Sequence, residues 1–284
     1  VCATILVIVA LLTTRGTIYM QINAAVEANK DAVNIVGMDA LGRKIPEVSG
    51  FRSDRYVGLF YFIWFENSRA DARDVTKLLR TNPNELWDPF DKTGIAPPLA
   101  MYYFNEPLYG YYSSKDPWVV KKHIELFISA GIDFLAIDVS NNEIYIDSLT
   151  VLLDTLEAFR QAGWDVPKVV FYTNLESGKT VKLLYNLFYK KGLYRDLWFY
   201  GPYDKPLIVA HKNELEEEIA DFFYIRPAQW PGFEYEVYED GFPFCDLNRP
   251  QRIHQNLINV SVAQHTAYVF SFGVKEDPRF TPRD

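Results

Sequence analysis

Short apolar runs of strand length alternate along the chain with longer segments in which apolar residues recur every three or four positions. The first run, 57–64, is apolar throughout except for Gly58, and a strand of that composition is typically covered on both faces in a parallel sheet. Further runs of the same kind predict strands at 134–137, 169–172, 197–199, 205–210, 222–225 and 257–262. We count about six of these runs as strands of the barrel type.

The periodic segments predict amphipathic helices with recognisable ends. Asp116 and Pro117 start one helix, as a carboxylate N-cap followed by proline at the first helical position. Gly131, Gly163 and Gly192 end this helix and the two that follow it, at intervals of about 30 residues, which is the length of a strand–helix unit. Shorter helices are expected at 74–79 and 213–221.

This alternation of strands and helices predicts an α/β fold with a parallel sheet. The expected architecture is a (β/α)8 TIM-barrel type that is incomplete, because only about six of its eight strands are found. An open α/β sheet is the alternative. The segment 229–250 is rich in aromatic residues, proline and glycine, and we expect it to be a binding or lid loop.

An apolar run at 2–13 is too short to span a bilayer comfortably and resembles the hydrophobic region of a signal peptide. The expected organisation is a signal peptide at 1–25, a linker or entry segment at 26–55, and a barrel domain at 56–284 that is truncated at its C-terminus. An uncleaved membrane anchor or a buried strand is the alternative for the first run. We expect export to a secreted, lumenal or periplasmic compartment, with no stable membrane span after signal removal.

Composition narrows the classes of function. The 284 residues include 29 basic and 37 acidic ones, for a net charge of −8, which argues against nucleic acid and anionic membrane surfaces as partners. Two cysteines, and four histidines without metal-ligand spacing, argue against a disulfide framework and a metal site. The phosphate-binding, dinucleotide-binding, serine-hydrolase and zinc-protease motifs are missing from the sequence. We therefore expect no cofactor.

Carboxylate, amide and aromatic side chains remain at the predicted strand ends, and they suit glycoside chemistry. In that chemistry one carboxyl group acts as acid or base, a second stabilises or attacks the sugar, and amides bind hydroxyl groups. Asp138, directly after a buried strand, and Glu106 are the catalytic candidates. The expected substrate-binding residues are Trp64, Glu66, Asn67, Tyr111, Tyr112, Asn141, Asn174, Gln264 and His265.

Each of these candidates has a purely structural alternative. Asp138 would cap the turn that follows its strand, and Glu106 would form a loop corner. Tyr111 and Tyr112 serve as packing residues as readily as they serve as a sugar platform. His123 lies on or beside the apolar stripe of its helix, so we expect a structural role for it.

One stretch resembles a known family. Residues 110–117, Gly-Tyr-Tyr-Ser-Ser-Lys-Asp-Pro, are followed by a helix and by Ala-Gly-Ile-Asp at 130–133. This order resembles the Tyr-Ser-Ser-x-Asp, His and Ala-Gly-Ile stretch of glycoside hydrolase family 99, and it is similar to the related family 71 and WbsX-like glycan-processing proteins. The run from Trp64 to Asn67 is similar to the family's Trp-Tyr-Gly-Asn strand end, with Glu66 in place of the glycine.

The resemblance implies a secreted or lumenal (β/α)8 enzyme that acts without a metal on α-linked mannose or similar glycans. The family's two catalytic glutamates lie late in the barrel, in an Asn-Glu-Trp-x-Glu-type motif that this sequence lacks. No catalytic pair is therefore carried over. The resemblance implies at most a substrate-lining role, and not a catalytic one, for these residues: Trp64, Asn67, Tyr111, Tyr112 and Asp138.

Three hypotheses for the function follow. The first is an exported glycoside hydrolase-like barrel, represented by an N-terminal fragment of its catalytic domain that turns over little substrate. The second is a non-catalytic carbohydrate-binding relative that presents an aromatic groove. The third is an enzyme of unrelated chemistry on an open α/β sheet. Under the first two, the expected partner is an oligosaccharide or polysaccharide.

Overall fold

The computed structural model describes residues 37–38, 41–44, 55–65, 73–83, 102–103, 105–230, 237–246 and 251–260. The chain divides into two compact units, Val1–Tyr56 and Val57–Asp284. The predicted signal peptide lies outside the described residues and stays a prediction. Among the residues that are described, none of the helices is long and apolar enough to cross a membrane.

The larger unit is built from short strands and helices that alternate over most of its length. In chain order they are β1 (Gly58–Tyr61), β2 (Arg73–Asp74), α1 (Val75–Thr81), β3 (Tyr102–Tyr103), α2 (Pro117–Ser129), β4 (Phe134–Asp138), α3 (Ile146–Gln161), β5 (Lys168–Tyr172), α4 (Ser177–Leu184), β6 (Leu207–Val209), α5 (Glu217–Phe222), β7 (Tyr224–Arg226), β8 (Ala228–Gln229), β9 (Phe242–Pro243), β10 (Ile253–His254) and β11 (Leu257–Ile258).

Five of the strands form a parallel sheet in the order β1-β4-β5-β6-β7. The predicted α/β fold with a parallel sheet is therefore confirmed. Neighbouring strands of this sheet follow one another along the chain, as they do in a barrel wall. Pairing between β1 and β7 is not present in the described part of the chain, so the closed barrel remains a prediction.

The predicted ends of the helices are present. Asp116 Oδ1 accepts a hydrogen bond of 2.9 Å from the amide of Trp118 at the start of α2. Gly131, Gly163 and Gly192 have φ angles of +68°, +90° and +66°, the left-handed conformation that ends helices and that glycine adopts at little cost. These local signals explain why the boundaries could be found from the sequence.

The two faces of the sheet are covered by different sets of side chains. Leu135, Ile137, Val169 and Phe171 pack in the cluster that contains the apolar stripes of the helices, aliphatic and aromatic. The alternate residues of the same strands, such as Val170, pack against an aromatic layer instead. The members of this layer are Phe60, Phe199, Trp230, Phe242 and Phe244.

The position of Gly58 reflects the crowding on that aromatic face. A Cβ atom at Gly58 would lie 2.1 Å from the ring of Phe134, its partner in the neighbouring strand. Such a distance is far inside van der Waals contact, so any larger residue at this position would displace the ring. This is the physical reason that an otherwise apolar run contains a glycine.

The predicted strand at 197–199 is wrong. Arg195–Leu197 forms a 3-10 turn. The segment after it meets the sheet through an isolated bridge between Val169 and Trp198 and through a hydrogen bond of 2.8 Å from the Leu207 amide to the Phe199 carbonyl oxygen. Leu197 and Trp198 are buried in the core under the helices, which is why their composition matches that of a strand.

Two further boundaries differ from expectation. The predicted strand at 222–225 starts later, because Phe222 still belongs to α5 and the ladder begins at Tyr224. The predicted helix at 213–221 is divided into a 3-10 turn, Lys212–Glu214, and α5. In the predicted loop 229–250, Phe242 and Phe244 cover the sheet, so its described part is packed.

Candidate functional site

Asp138 lies at the carboxyl end of β4, and it is 3 % exposed. Its Oδ1 atom accepts a hydrogen bond of 3.0 Å from the amide of Ser140, so the carboxylate does cap the following turn. Its Oδ2 atom has no hydrogen-bond partner among the described residues. The carboxylate thus keeps one acceptor oxygen that a ligand hydroxyl group could use.

The sheet register places a row of side chains beside Asp138. Asp138 pairs with Tyr172 on β5, and Tyr172 pairs with Val209 on β6. Burial, together with the nearby Asp138 carboxylate and Cys245, raises the pKa of the Tyr172 phenol well above its ordinary value. Tyr172 therefore stays neutral and can only share its hydroxyl group with neighbours.

A second polar group lies where β5 and β6 end. The Oγ1 atom of Thr173 is 2.7 Å from both the Val209 carbonyl oxygen and the Ser177 hydroxyl group. The amide of His211 donates to the same Ser177 Oγ at 3.0 Å. These bonds fix the backbone just after the two strands, and thereby the positions of Asn174 and His211.

Asn174 and His211 form a hydrogen-bonded pair across the gap between the two strand ends. The Asn174 Oδ1 atom lies 3.1 Å from His211 Nε2; an amide oxygen only accepts, so Nε2 carries the proton. In a neutral ring Nδ1 is then an acceptor, and it has no partner within the described ranges. Both side chains are partly exposed, so a ligand can reach them.

His211 is a residue that the sequence analysis missed as a site candidate. The signal was present, because His211 directly follows the predicted strand 205–210, as Thr173 and Asn174 follow 169–172. Its pairing with Asn174 depends on the neighbouring positions of β5 and β6 in the sheet. Only the three-dimensional structure brings the two together.

The aromatic side of this edge is the segment after β1. Trp64 is partly buried and stacks on Phe62, with ring centroids 5.2 Å apart and planes 18° from parallel. The next residue, Phe65, exchanges two hydrogen bonds with Ser114: its amide donates to Ser114 Oγ at 3.1 Å, and its carbonyl oxygen accepts from the Ser114 amide at 2.5 Å. The serine of the 110–117 stretch therefore fastens that loop to the end of β1.

Tyr111 belongs to a polar network rather than an open platform. Its hydroxyl group donates to Asp74 Oδ2 at 2.5 Å and accepts from Lys77 Nζ at 2.9 Å. The hydrogen bond from Tyr111, with another from the Lys77 amide, holds the pKa of the Asp74 carboxyl group below its usual range. Lys77 also binds Glu106 Oε2 at 3.3 Å, so Glu106 lies in an ion pair on the loop surface.

Tyr112 makes ring contacts on both sides. Its ring lies edge-on to His123, with centroids 5.3 Å apart, and also contacts Phe65. His123 in turn shares a hydrogen bond of 2.9 Å with the Tyr61 hydroxyl group, and burial lowers the pKa of its imidazole. These contacts are those of a structural histidine and a packed tyrosine.

Of the remaining predicted residues, the structure describes Asn141 alone. Asn141 is exposed on the turn after Asp138. The structure forms no cluster of three or more histidine, cysteine, aspartate or glutamate residues suited to a metal ion, as far as its described residues go. Predicted residues that lie outside the described ranges are Glu66, Asn67, Gln264 and His265.

No protein-family model matches the chain, and no curated protein matches it. Solved structures that are similar to it include two of a family 99 endo-α-mannosidase from Bacteroides thetaiotaomicron, one of them in complex with BIS-TRIS-propane. The complex is 22 % identical with a TM-score of 0.34 and covers 55 % of this chain and 41 % of its own. The other is 17 % identical with a TM-score of 0.37 and covers 61 % of this chain and 55 % of its own.

Each match therefore spans about half of the solved chain or less. At these TM-scores the likeness carries no argument about the activity of this chain. What the chain itself shows is an α/β fold whose parallel sheet presents a buried carboxylate, an amide–imidazole pair and a stacked tryptophan at its carboxyl edge.

Proposed function

We propose that this chain belongs to a glycoside hydrolase-like protein and binds α-linked, mannan-like glycans in a metal-free cleft at the carboxyl edge of its sheet. The observation that carries the proposal is the Oδ2 oxygen of Asp138 at the end of β4, which no described residue binds. In α/β folds, ligands bind outside the carboxyl ends of the strands. The apolar run at 2–13 supports export as part of the same proposal.

The neighbouring side chains have the chemistry that a sugar requires. Asp138 and His211 each offer an acceptor atom for a hydroxyl proton, and the Asn174 amide can donate through its NH2 group. Trp64 supplies a flat apolar face on which the C–H face of a pyranose can stack. The cleft therefore combines directional hydrogen bonds with a planar surface.

A non-catalytic carbohydrate-binding protein is the second candidate, and the state of the carboxylates favours it. Hydrolysis of a glycosidic bond by the usual route requires two carboxyl groups, one on each side of the bond. Asp138 already caps a turn, and Glu106 is paired with Lys77. The described residues thus supply binding groups more clearly than an acid and a base.

Calorimetric titration of the chain with α-linked mannotetraose tests the proposal. We expect Trp64→Ala to weaken binding about tenfold, a loss of about 1.4 kcal/mol in binding free energy, because the stacking face is removed. Trp164→Ala is the matched control, since Trp164 is an exposed tryptophan in the loop between α3 and β5. Equal affinity in the wild type and the Trp64 variant would contradict the proposed cleft.

An assay for newly released reducing ends separates the two candidates. If the chain hydrolyses the tetrasaccharide and Asp138→Asn abolishes the activity, the enzyme hypothesis holds. Binding without hydrolysis supports the carbohydrate-binding alternative.

A further inference from the structure

A groove of about 670 Å³ lies at the opposite, amino edge of the sheet. One of its lining residues, Lys168, is the first residue of β5, whereas Asn174 follows the other end of the same strand. The strand ends at Tyr172, four steps of about 3.3 Å from Lys168, so the groove lies about 13 Å from the carboxyl edge along the strand. Its volume is within the range of roughly 300–1,000 Å³ that is common for small-molecule sites.

The charged residues that line the groove are balanced in sign. They are Glu157, Lys168, Arg195 and Asp196. Arg160, which does not line the groove, holds the two acidic residues in place: it binds Glu157 through two hydrogen bonds of 2.7 and 2.8 Å and reaches Asp196 at 3.3 Å. A lining without net charge favours neither an anion nor a cation as ligand.

The other walls of the groove are aromatic. Tyr194, Trp198 and Tyr200 line it, and the rings of Tyr194 and Trp198 meet edge to face with centroids 6.3 Å apart. Tyr200 is 42 % exposed, so its ring is open to a ligand. Trp198 is only 2 % exposed, so the open aromatic face is that of Tyr200. Such a face next to charge-balanced hydrogen-bonding groups suits a neutral, polyhydroxylated molecule.

The side chains of the groove are held in place before any ligand arrives. Lys168 Nζ donates to the Asp196 carbonyl oxygen at 2.6 Å, and the Tyr200 hydroxyl group donates to the Arg195 carbonyl oxygen at 3.3 Å. A preformed site loses less side-chain entropy on binding than a mobile one.

We propose that this groove is a second binding site, for a neutral oligosaccharide, separate from the cleft at the carboxyl edge. It shares its ligand class with the proposed function, and to that extent rests on it, but it shares none of the residues. Tyr200 would provide the stacking face, and the charged residues beside it would exchange hydrogen bonds with sugar hydroxyl groups.

The test uses the full chain with its carboxyl-edge cleft disabled by Trp64→Ala and Asp138→Asn together, titrated with α-linked mannohexaose. We expect this variant to retain one binding site. Adding Tyr200→Ala should weaken that binding at least about tenfold, whereas Tyr200→Phe should preserve it. Tyr203→Ala is the control, since Tyr203 is 89 % exposed and only three residues further along the chain, but does not line the groove.

The outcomes distinguish the groove from the cleft. If the wild type binds and the double variant does not, the groove proposal is wrong and the proposed function stands. The groove proposal is also wrong if the double variant binds and neither Tyr200→Ala nor Arg195→Ala, added to it, weakens that binding. If Tyr200→Ala alone abolishes all binding and the double variant binds like the wild type, the groove holds and the cleft is wrong. Unchanged melting temperatures show that the variants are folded.

Discussion

The two edges of the parallel sheet hold their polar residues in different ways. At the carboxyl edge Asp138 and Thr173 are buried and bind backbone atoms, an amide and a carbonyl oxygen respectively. Asn174 and His211 at the same edge are partly exposed and bind each other. At the amino edge the charged side chains bind each other at the surface, as Arg160 binds Glu157 and Asp196.

This difference has an energetic consequence. A buried polar group that loses its partner stays out of reach of water, so the full cost of its desolvation remains. A surface ion pair that is broken exchanges its partner for water, at little cost. Substitutions at the carboxyl edge should therefore destabilise the fold more than equivalent substitutions at the amino edge.

Arg226 gives the largest expected effect. It lies at the end of β7, is 5 % exposed, and donates to the carbonyl oxygens of Asp240, Gly241 and His254 at 2.8–3.1 Å and to Asn256 Oδ1 at 3.0 Å. Arg226→Leu removes these bonds and leaves buried acceptors without donors. We expect a loss of about 3 kcal/mol in the free energy of unfolding, measured by urea denaturation.

Arg195→Leu is the matched control at the amino edge. Arg195 is exposed, so its replacement should change the free energy of unfolding by no more than about 0.5 kcal/mol. Similar losses in the free energy of unfolding for Arg226→Leu and Arg195→Leu would contradict the expected difference between the two edges.

A pair of aspartates tests the same difference at smaller amplitude. Asp138→Ala removes the acceptor of the buried Ser140 amide, and we expect it to cost roughly 1–3 kcal/mol of stability. Asp196→Ala removes a carboxylate whose side chain is 68 % exposed, and little change is expected. Thermal unfolding followed by circular dichroism measures both. A larger decrease in melting temperature for Asp196→Ala than for Asp138→Ala would contradict the conclusion that Asp138 is the more deeply buried of the two.

The sequence predicted best those features that depend on neighbours along the chain. Asp116, Pro117 and Gly131 mark the ends of α2 through contacts within a few residues, so their pattern is readable without a structure. The failed strand at 197–199 shows the limit, because Trp198 is buried under helices while its backbone makes only one bridge to the sheet. Burial alone does not distinguish a residue that is packed under helices from a residue of a buried strand.

The candidate site was predictable only in part for the same reason. Asp138 was found because it directly follows a buried strand. The partners of Arg226 come from 240 to 256, and the partner of His211 comes from the end of another strand. Contacts over such separations leave no periodic signal in the sequence.

The smallest expected effect is a difference in pH dependence between His123, beside the end of β1, and Glu157, in the groove. Burial lowers the pKa of His123, and the Arg160 guanidinium group lowers the pKa of Glu157. For both, the unfolded chain binds the proton more readily than the folded chain does. Each therefore stabilises the fold above its unfolded pKa, and that contribution is lost as the pH falls.

The two losses should occur in separate pH ranges. The contribution of His123 should decline as the pH falls below about 6.5, and that of Glu157 only below about 4.3. Urea denaturation of His123→Gln and Glu157→Gln between pH 8 and the acid limit of folding, each compared with the wild type, resolves them. If the difference for His123→Gln stayed constant through pH 6, burial of the imidazole would not be linked to stability, because a titrating group with a lowered pKa must change its contribution there.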